Sequence, residues 1–323
     1  MELTFVEAIR QALLEEMRRD PAVFLMGEDI GIYGGAFKAT AGLVDEFGSQ
    51  RVIDTPLTES AIVGAAIGAA YTGMRPVVEM QFMDFVACCF NQITNFAAKS
   101  HYRWGAPVPI VIRGPVGGGV HGGPFHSQNP EMYFVHTAGV KVVEPSTPSD
   151  AFGLLLSSIR DNNPVLFLEH KFLYRRLKED VPLDLAPIPL GQAKVARGGR
   201  DLSVITYGAM TQLALDTAAD LAASGIETEV LDLRTLSPLD RAAIVATARK
   251  TSKVLILHED TRTGGIAGEI AAILQEECFD DLDGPILRLT SGDAPVPFSP
   301  PLEEAFLPSA QALAEHIQRL ARF

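Results

Sequence analysis

Twice along this chain, short apolar runs of strand length alternate with stretches of helical periodicity, and that double alternation leaves few folds open. In the first half, residues 4–19 carry Phe5, Ala8, Ile9, Ala12, Leu13 and Met17 at helical spacing. Apolar runs at 23–26, 51–54, 76–80, 108–113, 140–143 and 165–169 read as strands, and 60–71 reads as a helix of small residues able to approach a neighbour closely. In the second half, strands are expected at 202–207, 229–233, 254–258 and 286–289. Helices are expected at 211–223, 238–251, 265–277 and 309–320. Between the halves, residues 181–199 hold several prolines and then Arg197-Gly198-Gly199-Arg200, the texture of a linker. Strands alternating with helices predict parallel sheets with helices on both faces. The expectation is two α/β domains, 1–180 and 200–323, joined by 181–199.

Composition narrows the class. Of 323 residues, 47% are hydrophobic and 21% charged, enough apolar side chain for large cores and too little polarity for disorder. A formal net charge of −13 argues against nucleic acid or an anionic membrane as partner. Cys88, Cys89 and Cys278 offer no disulfide framework, which fits a reducing cytoplasm. The first 20 residues carry charges throughout rather than an export signal, and no apolar run reaches membrane-spanning length.

Three segments carry chemistry-bearing residues. Asp54-Thr55-Pro56-Leu57-Thr58-Glu59-Ser60 puts Glu59 where a strand hands over to a helix, the usual place for ligand groups in parallel sheets. The plainer reading is a helix-start carboxylate favoured by the dipole. Residues 113–128 follow a strand and hold six glycines in the ten residues 114–123, a loop costly to order and of the kind that tends to order around a ligand. His121 and His126 lie in it. Five residues apart, with no cysteine pair nearby, they make a poor metal site. Proton transfer by a titrating histidine and a purely structural hydrogen-bonding role both remain open. Gly264-Gly265-Ile266-Ala267-Gly268-Glu269 lacks the first Gly-x-Gly step of a dinucleotide fingerprint. It reads as a helix start packed tightly on a sheet.

Taken in order, Gly27-Glu28-Asp29, Asp54-Thr55-Pro56-Leu57-Thr58-Glu59, Phe125-His126-Ser127-Gln128, Ile159-Arg160-Asp161-Asn162-Asn163-Pro164 and Asp232-Leu233-Arg234-Thr235-Leu236-Ser237-Pro238 resemble one family nearly end to end. It is the beta subunit of the thiamine-diphosphate-dependent decarboxylating component of pyruvate and branched-chain 2-oxo acid dehydrogenase complexes. The resemblance implies an N-terminal pyrimidine-binding domain followed by a transketolase C-terminal-like α/β domain. It also implies oxidative decarboxylation of a 2-oxo acid with reductive acylation of lipoamide.

By the same resemblance, Glu59 contacts the aminopyrimidine ring nitrogen and shares its proton, while Leu57, Gln81 and Phe85 line the pyrimidine pocket. Phe85 stands where many relatives have tyrosine, so no hydroxyl acts there. His126 matches a histidine that assists transfer of the acyl group to a lipoyl arm. Ile110, Ser158, Ile159, Asp161 and Asn163 match a monovalent-cation site, typically potassium, with a plain helix-end turn before Pro164 as the alternative. No Gly-Asp-Gly segment for holding Mg²⁺ and diphosphate occurs. The resemblance therefore assigns that half of the cofactor to an alpha subunit in an α2β2 heterotetramer, which docks on a lipoyl-bearing acyltransferase core. Acetoin dehydrogenase beta subunits are similar, and a catalytically silent assembly subunit would share the fold. Residues 125–131 lean toward the branched-chain pattern and 159–164 toward pyruvate.

Overall fold

A computed structural model describes residues 1–182 and 184–323. The chain forms two compact units, one of residues 1–116 with 133–190 and the other of 117–132 with 191–323. The glycine loop that follows the strand at 113 therefore belongs with the later residues, and the division is not a single cut near 180. The expected linker 181–199 includes Leu183, which lies outside the described residues.

The first unit opens with strand β1 (Glu2–Thr4) and helix α1 (Phe5–Arg19). Thr4 caps α1 through a reciprocal capping box with Glu7, and Arg18 and Arg19 sit in its last turn, where cations suit the dipole. Its six apolar positions named above are all buried. Each large side chain so placed contributes about 1.5–3 kcal/mol. There follow β2 (Val23–Gly27), α2 (Leu43–Phe47), β3 (Val52–Asp54), α3 (Glu59–Tyr71) and β4 (Arg75–Glu79). A 3₁₀ segment Met83–Cys89, a π-helical turn Gln92–Ala97 and α4 (Ala98–Trp104) lead to β5 (Val111–Val116). The remainder is α5 (Glu131–Val135), β6 (Lys141–Val143), α6 (Pro148–Arg160), β7 (Val165–His170) and β8 (Lys178–Asp180).

Six strands of this unit lie in the order β6-β7-β5-β4-β2-β3, all parallel. β1 and β8 form a separate antiparallel pair. The chain runs from β2 outward to β3 and then returns across β2 to β4. The carboxyl ends of β2 and β4 thus flank a topological switch point, where parallel sheets open a crevice for ligands.

The second unit carries β9 (Lys194–Arg197), β10 (Leu202–Thr206), α7 (Ala209–Ala222), β11 (Thr228–Asp232), β12 (Thr235–Ser237) and α8 (Arg241–Thr251). It continues through β13 (Val254–Thr261), α9 (Ala267–Cys278), β14 (Leu287–Ser291), α10 (Pro300–Phe306) and α11 (Ala310–Ala321). Its sheet order is β14-β13-β10-β11-β9, parallel except for β9. That antiparallel edge strand lies inside the stretch expected to be linker. It escapes notice in the sequence because it is a short, partly exposed edge with no continuous apolar run. Leu202, Val204, Val230, Leu255 and Leu257 form a core closed by Leu313, Ile317 and Leu320 of α11. Gly265 packs so closely that an added Cβ would lie 2.5 Å from the His258 ring, which accounts for that glycine by packing, while Gly264 has open space around it and a φ of +78°. Among the described residues, no helix is long and apolar enough to cross a membrane.

Candidate active site

The first candidate group lies in the first unit at the carboxyl ends of β2, β3 and β4. Glu59 is the first residue of α3 and is half-buried. Its helix packs on the Met83–Cys89 segment, and Gln92 Nε2 donates to Ser60 Oγ at 2.7 Å, which fixes the helix start. Glu28 directly follows β2 and is buried, yet neither carboxyl oxygen has a hydrogen-bond partner among the described residues. Burial first, then the charges of Glu59 and Asp29, push the Glu28 carboxyl above the usual carboxylate range. Gln81 follows β4 and donates from Nε2 to Asp29 Oδ2 at 3.5 Å, a long contact between the ends of β4 and β2.

Phe85 sits in the 3₁₀ segment, half-buried, edge-to-face with Phe82 at 6.2 Å between centroids and 82° between planes. Leu57 lies in the loop between β3 and α3 and is 76% exposed. Cys89 is buried in the same neighbourhood, and burial, Cys88 and Glu59 push its thiol up to about 12, which makes it inert. Glu28 carried no assigned role in the sequence reading, although its place at the end of a buried parallel strand was a usable signal.

The second group is the glycine loop, described within the second unit. His126 is half-buried, and its backbone N–H donates to the Gly123 carbonyl at 3.3 Å. Gly117 N–H donates to the Gln128 carbonyl at 3.2 Å and closes the loop on itself. Phe125, beside His126, is 70% exposed.

The residues expected to hold a potassium ion gather at the end of α6 and the start of β5. Ile110 is buried, and its carbonyl accepts from Val165 N–H at 3.0 Å. Ser158 Oγ donates to the Leu154 carbonyl, and the Ser158 carbonyl accepts from Asp161 N–H. The Ile159 and Asp161 carbonyls accept from Arg75 Nη1 at 2.9 and 3.0 Å. Asp161 pairs with Lys141 through one carboxyl oxygen, and through the other it accepts from Asn163 N–H at 2.8 Å. Two side-chain cations thus already serve the Ile159 and Asp161 oxygens, and backbone N–H groups serve the Ile110 and Ser158 carbonyls. That donor set does not fit a further cation well, and no step is derived through one.

Residues 1–176 match the family model described as "Transketolase, pyrimidine binding domain", and residues 191–313 match "Transketolase, C-terminal domain". Over 99% of its length the chain is 50% identical to 2-oxoisovalerate dehydrogenase subunit beta of Bacillus subtilis (strain 168), covering 99% of that protein. The chain belongs to the family of 2-oxo acid dehydrogenase beta subunits. Another member, pyruvate dehydrogenase E1 component subunit beta of the same organism, is 43% identical over 100% of this chain and 99% of that protein. Among solved structures, one described as "Split gene transketolase, inactive beta4 tetramer" superposes with a TM-score of 0.81 at 22% identity. It covers 99% of this chain and 98% of that one, a likeness that extends to the fold. Family membership agrees with the parallel α/β architecture and domain types expected from the sequence.

Proposed function

We propose that this chain acts with an alpha subunit as the thiamine-diphosphate-dependent component of a 2-oxo acid dehydrogenase complex in the cytoplasm. It decarboxylates a 2-oxo acid, pyruvate or branched-chain, and passes the acyl group to a lipoyl arm on an acyltransferase core. The observation that carries this reading is the buried Glu28 carboxyl, with both oxygens lacking partners, next to Glu59 at a topological switch point. Buried polar groups are almost always satisfied, so an orphaned pair of oxygens fits a ligand that brings N–H donors. An aminopyrimidine does so.

Thiamine diphosphate, when bound, supplies the carbanion and the electron sink for decarboxylation. Glu59 holds a proton at the ring nitrogen, and the second carboxyl, Glu28, beside it disfavours loss of that proton, because two like charges so close repel. Leu57, Gln81 and Phe85 bind and orient the ring, Phe85 through its face with about 0.5–1.5 kcal/mol beyond simple burial. His126 moves a proton as the acyl group leaves. Mg²⁺ and the diphosphate are held mainly by the alpha subunit, since hard cations with phosphates need carboxylate and amide oxygens.

Higher identity to the 2-oxoisovalerate enzyme subunit than to the pyruvate enzyme subunit of one organism, 50% against 43%, supports a branched-chain acid as first substrate. The test is carbon dioxide release by the reconstituted alpha–beta complex from 2-oxoisovalerate and from pyruvate, with acetoin cleavage as control. Release from a 2-oxo acid that disappears in Glu59→Gln is the expected result. Acetoin cleavage without decarboxylation, or unchanged activity in Glu59→Gln, would overturn the reading.

A further inference from the structure

The glycine loop is held by carboxylates that come from far along the chain. Glu303, on the short helix α10, is 1% exposed. Its Oε1 accepts from Gly119 N–H at 3.0 Å. Its Oε2 accepts from His121 N–H at 3.1 Å and lies 2.7 Å from His121 Nδ1. Glu259, at the end of β13, accepts through Oε1 from Gly118 N–H at 2.6 Å and from Asn129 Nδ2 at 3.1 Å. One carboxylate rivets the neck of the loop and the other its limb. All these residues lie in the second unit.

The backbone is shaped for this. Gly117, Gly119 and Gly123 have φ of +84°, +76° and +70°, and His121 has +59°. Alternating left-handed residues turn successive N–H groups toward one side and make a nest for an anion. Glycine adopts that conformation freely, whereas a histidine there is uncommon and strained. The chain keeps His121 in a costly conformation because Glu303 grips both its N–H and its ring. Gly122 lies directly against His126: an added Cβ would come 3.2 Å from His126 Cβ and 3.0 Å from its carbonyl oxygen. Whatever fixes residues 119–122 therefore fixes the backbone that carries His126.

The ring of His121 is held at one end only. With Nδ1–H donated to a buried carboxylate, Nε2 is the nitrogen left to take or give a proton. The side chain is 48% exposed. A carboxylate that orients a histidine in this way sets both tautomer and direction.

We propose that Glu303 is a positioning residue for acyl transfer to the lipoyl arm: it holds the loop bearing His126 and fixes His121 with Nε2 as its working nitrogen. The functional half of this statement rests on the reaction proposed above, while the loop-holding half does not. Glu303→Gln keeps the size of the side chain but presents one acceptor oxygen instead of two. His121→Asn removes the ring while keeping a residue that tolerates the left-handed backbone.

The test uses the alpha–beta complex and reads three things. Amide hydrogen exchange over residues 117–129 reports the loop. Decarboxylation with an artificial electron acceptor, and acylation of a lipoyl domain, report the two half-reactions separately across pH. Faster exchange in Glu303→Gln is expected. Lipoyl acylation falls about tenfold or more, with a displaced acid limb of its pH profile, while KM for the 2-oxo acid and the decarboxylation rate stay close to wild type. His121→Asn removes that limb instead of shifting it, because the titrating ring is gone, and the double variant loses no more than the worse single one.

Wild-type exchange in Glu303→Gln overturns the loop-holding role, whatever reaction the complex catalyses. Equal loss in both half-reactions, or an unchanged pH profile, reduces Glu303 to a structural residue and overturns the proposal. A wild-type complex that decarboxylates no 2-oxo acid defeats the parent reading and the acyl-transfer role with it, and the exchange result still decides the grip on the loop.

Discussion

Glu28 and Glu59 bring two carboxyl groups to the ends of neighbouring parallel strands, and only Glu28 is fully enclosed, with both oxygens unpartnered. The charge of Glu59 adds to burial in raising the Glu28 carboxyl above the ordinary range. A raised carboxyl lends stability that is complete below the unfolded value and is lost as pH rises through the folded one. Glu28→Gln should therefore raise the thermal midpoint at neutral pH, by an amount corresponding to about 1 kcal/mol, and leave it unchanged near pH 3. Decarboxylation by the alpha–beta complex should fall at the same time, because a group kept at a cost in stability is kept for function. Melting curves at both pH values, with one activity assay, check this. A variant less stable at neutral pH would mean that the carboxyl is satisfied within the protein.

Arg113 is buried at the middle of the first unit's sheet and joins two carboxylates. Its Nε and Nη2 donate to Glu169 at 2.5 and 2.7 Å, and Nη1 pairs with Glu79. Tyr174 adds a hydrogen bond to Glu169 at 2.6 Å. Removing the cation leaves Glu79 and Glu169 enclosed without a counter-charge, with only the Tyr174 hydrogen bond remaining on Glu169. Arg113→Met should destabilise the chain by about 3–5 kcal/mol in urea unfolding. Replacing all three with apolar residues of similar volume should recover much of that loss, since the desolvation penalty then disappears as well.

What could be read from the sequence follows from how local each signal is. Helix α1 was legible because its apolar spacing lies wholly within it. Glu59 was legible as a strand-to-helix carboxylate. Residues 83–104 gave no clear period, because a 3₁₀ segment, a π turn and a short α-helix follow one another with different repeats. Helix α6 is buried on nearly every side, so its face is not marked by alternation with polar residues. Glu303 could not be found at all from pattern. It acts on Gly119 from 184 positions away, through a contact that only the folded chain creates. Arg75 and Lys141 were likewise invisible as occupants of the expected cation ligands.

Gly265 meets the His258 ring and the Thr261 carbonyl at the start of α9, so its missing side chain is a packing requirement. The Thr261 oxygen is backbone and the ring is stacked on Tyr207 at 6.3 Å with 21° between planes, and neither can move aside freely. Gly265→Ala should destabilise by about 1–3 kcal/mol, the usual result of overpacking a filled site. Gly264→Ala is also unfavourable but for another reason, its φ of +78°, with open space around the added carbon. Combining Gly265→Ala with His258→Ala should relieve the contact with the ring and leave the one with the Thr261 carbonyl. Chemical denaturation of these three variants and of His258→Ala alone tests whether the two glycines act through separate causes.

Glu131 is buried at the far end of the glycine loop and accepts from Tyr207 Oη at 2.7 Å through one oxygen, while the other is buried without a partner. Burial, and then the neighbouring charges of Asp260 and Glu259, push its carboxyl well above the usual range. Asp260 is pushed up too, chiefly by its own burial. With the folded value above the unfolded one, the native state binds more protons across the interval between them, and stability falls as pH rises through it. Glu131→Gln keeps the hydrogen bond from Tyr207 and removes the charge. The variant should match wild type at pH 4, where the carboxyl is protonated in both states, and exceed it progressively toward alkaline pH. A gain of equal size at both ends would point to packing rather than proton linkage, and a loss at alkaline pH would mean that the carboxylate is stabilised by a donor that the loop brings to it.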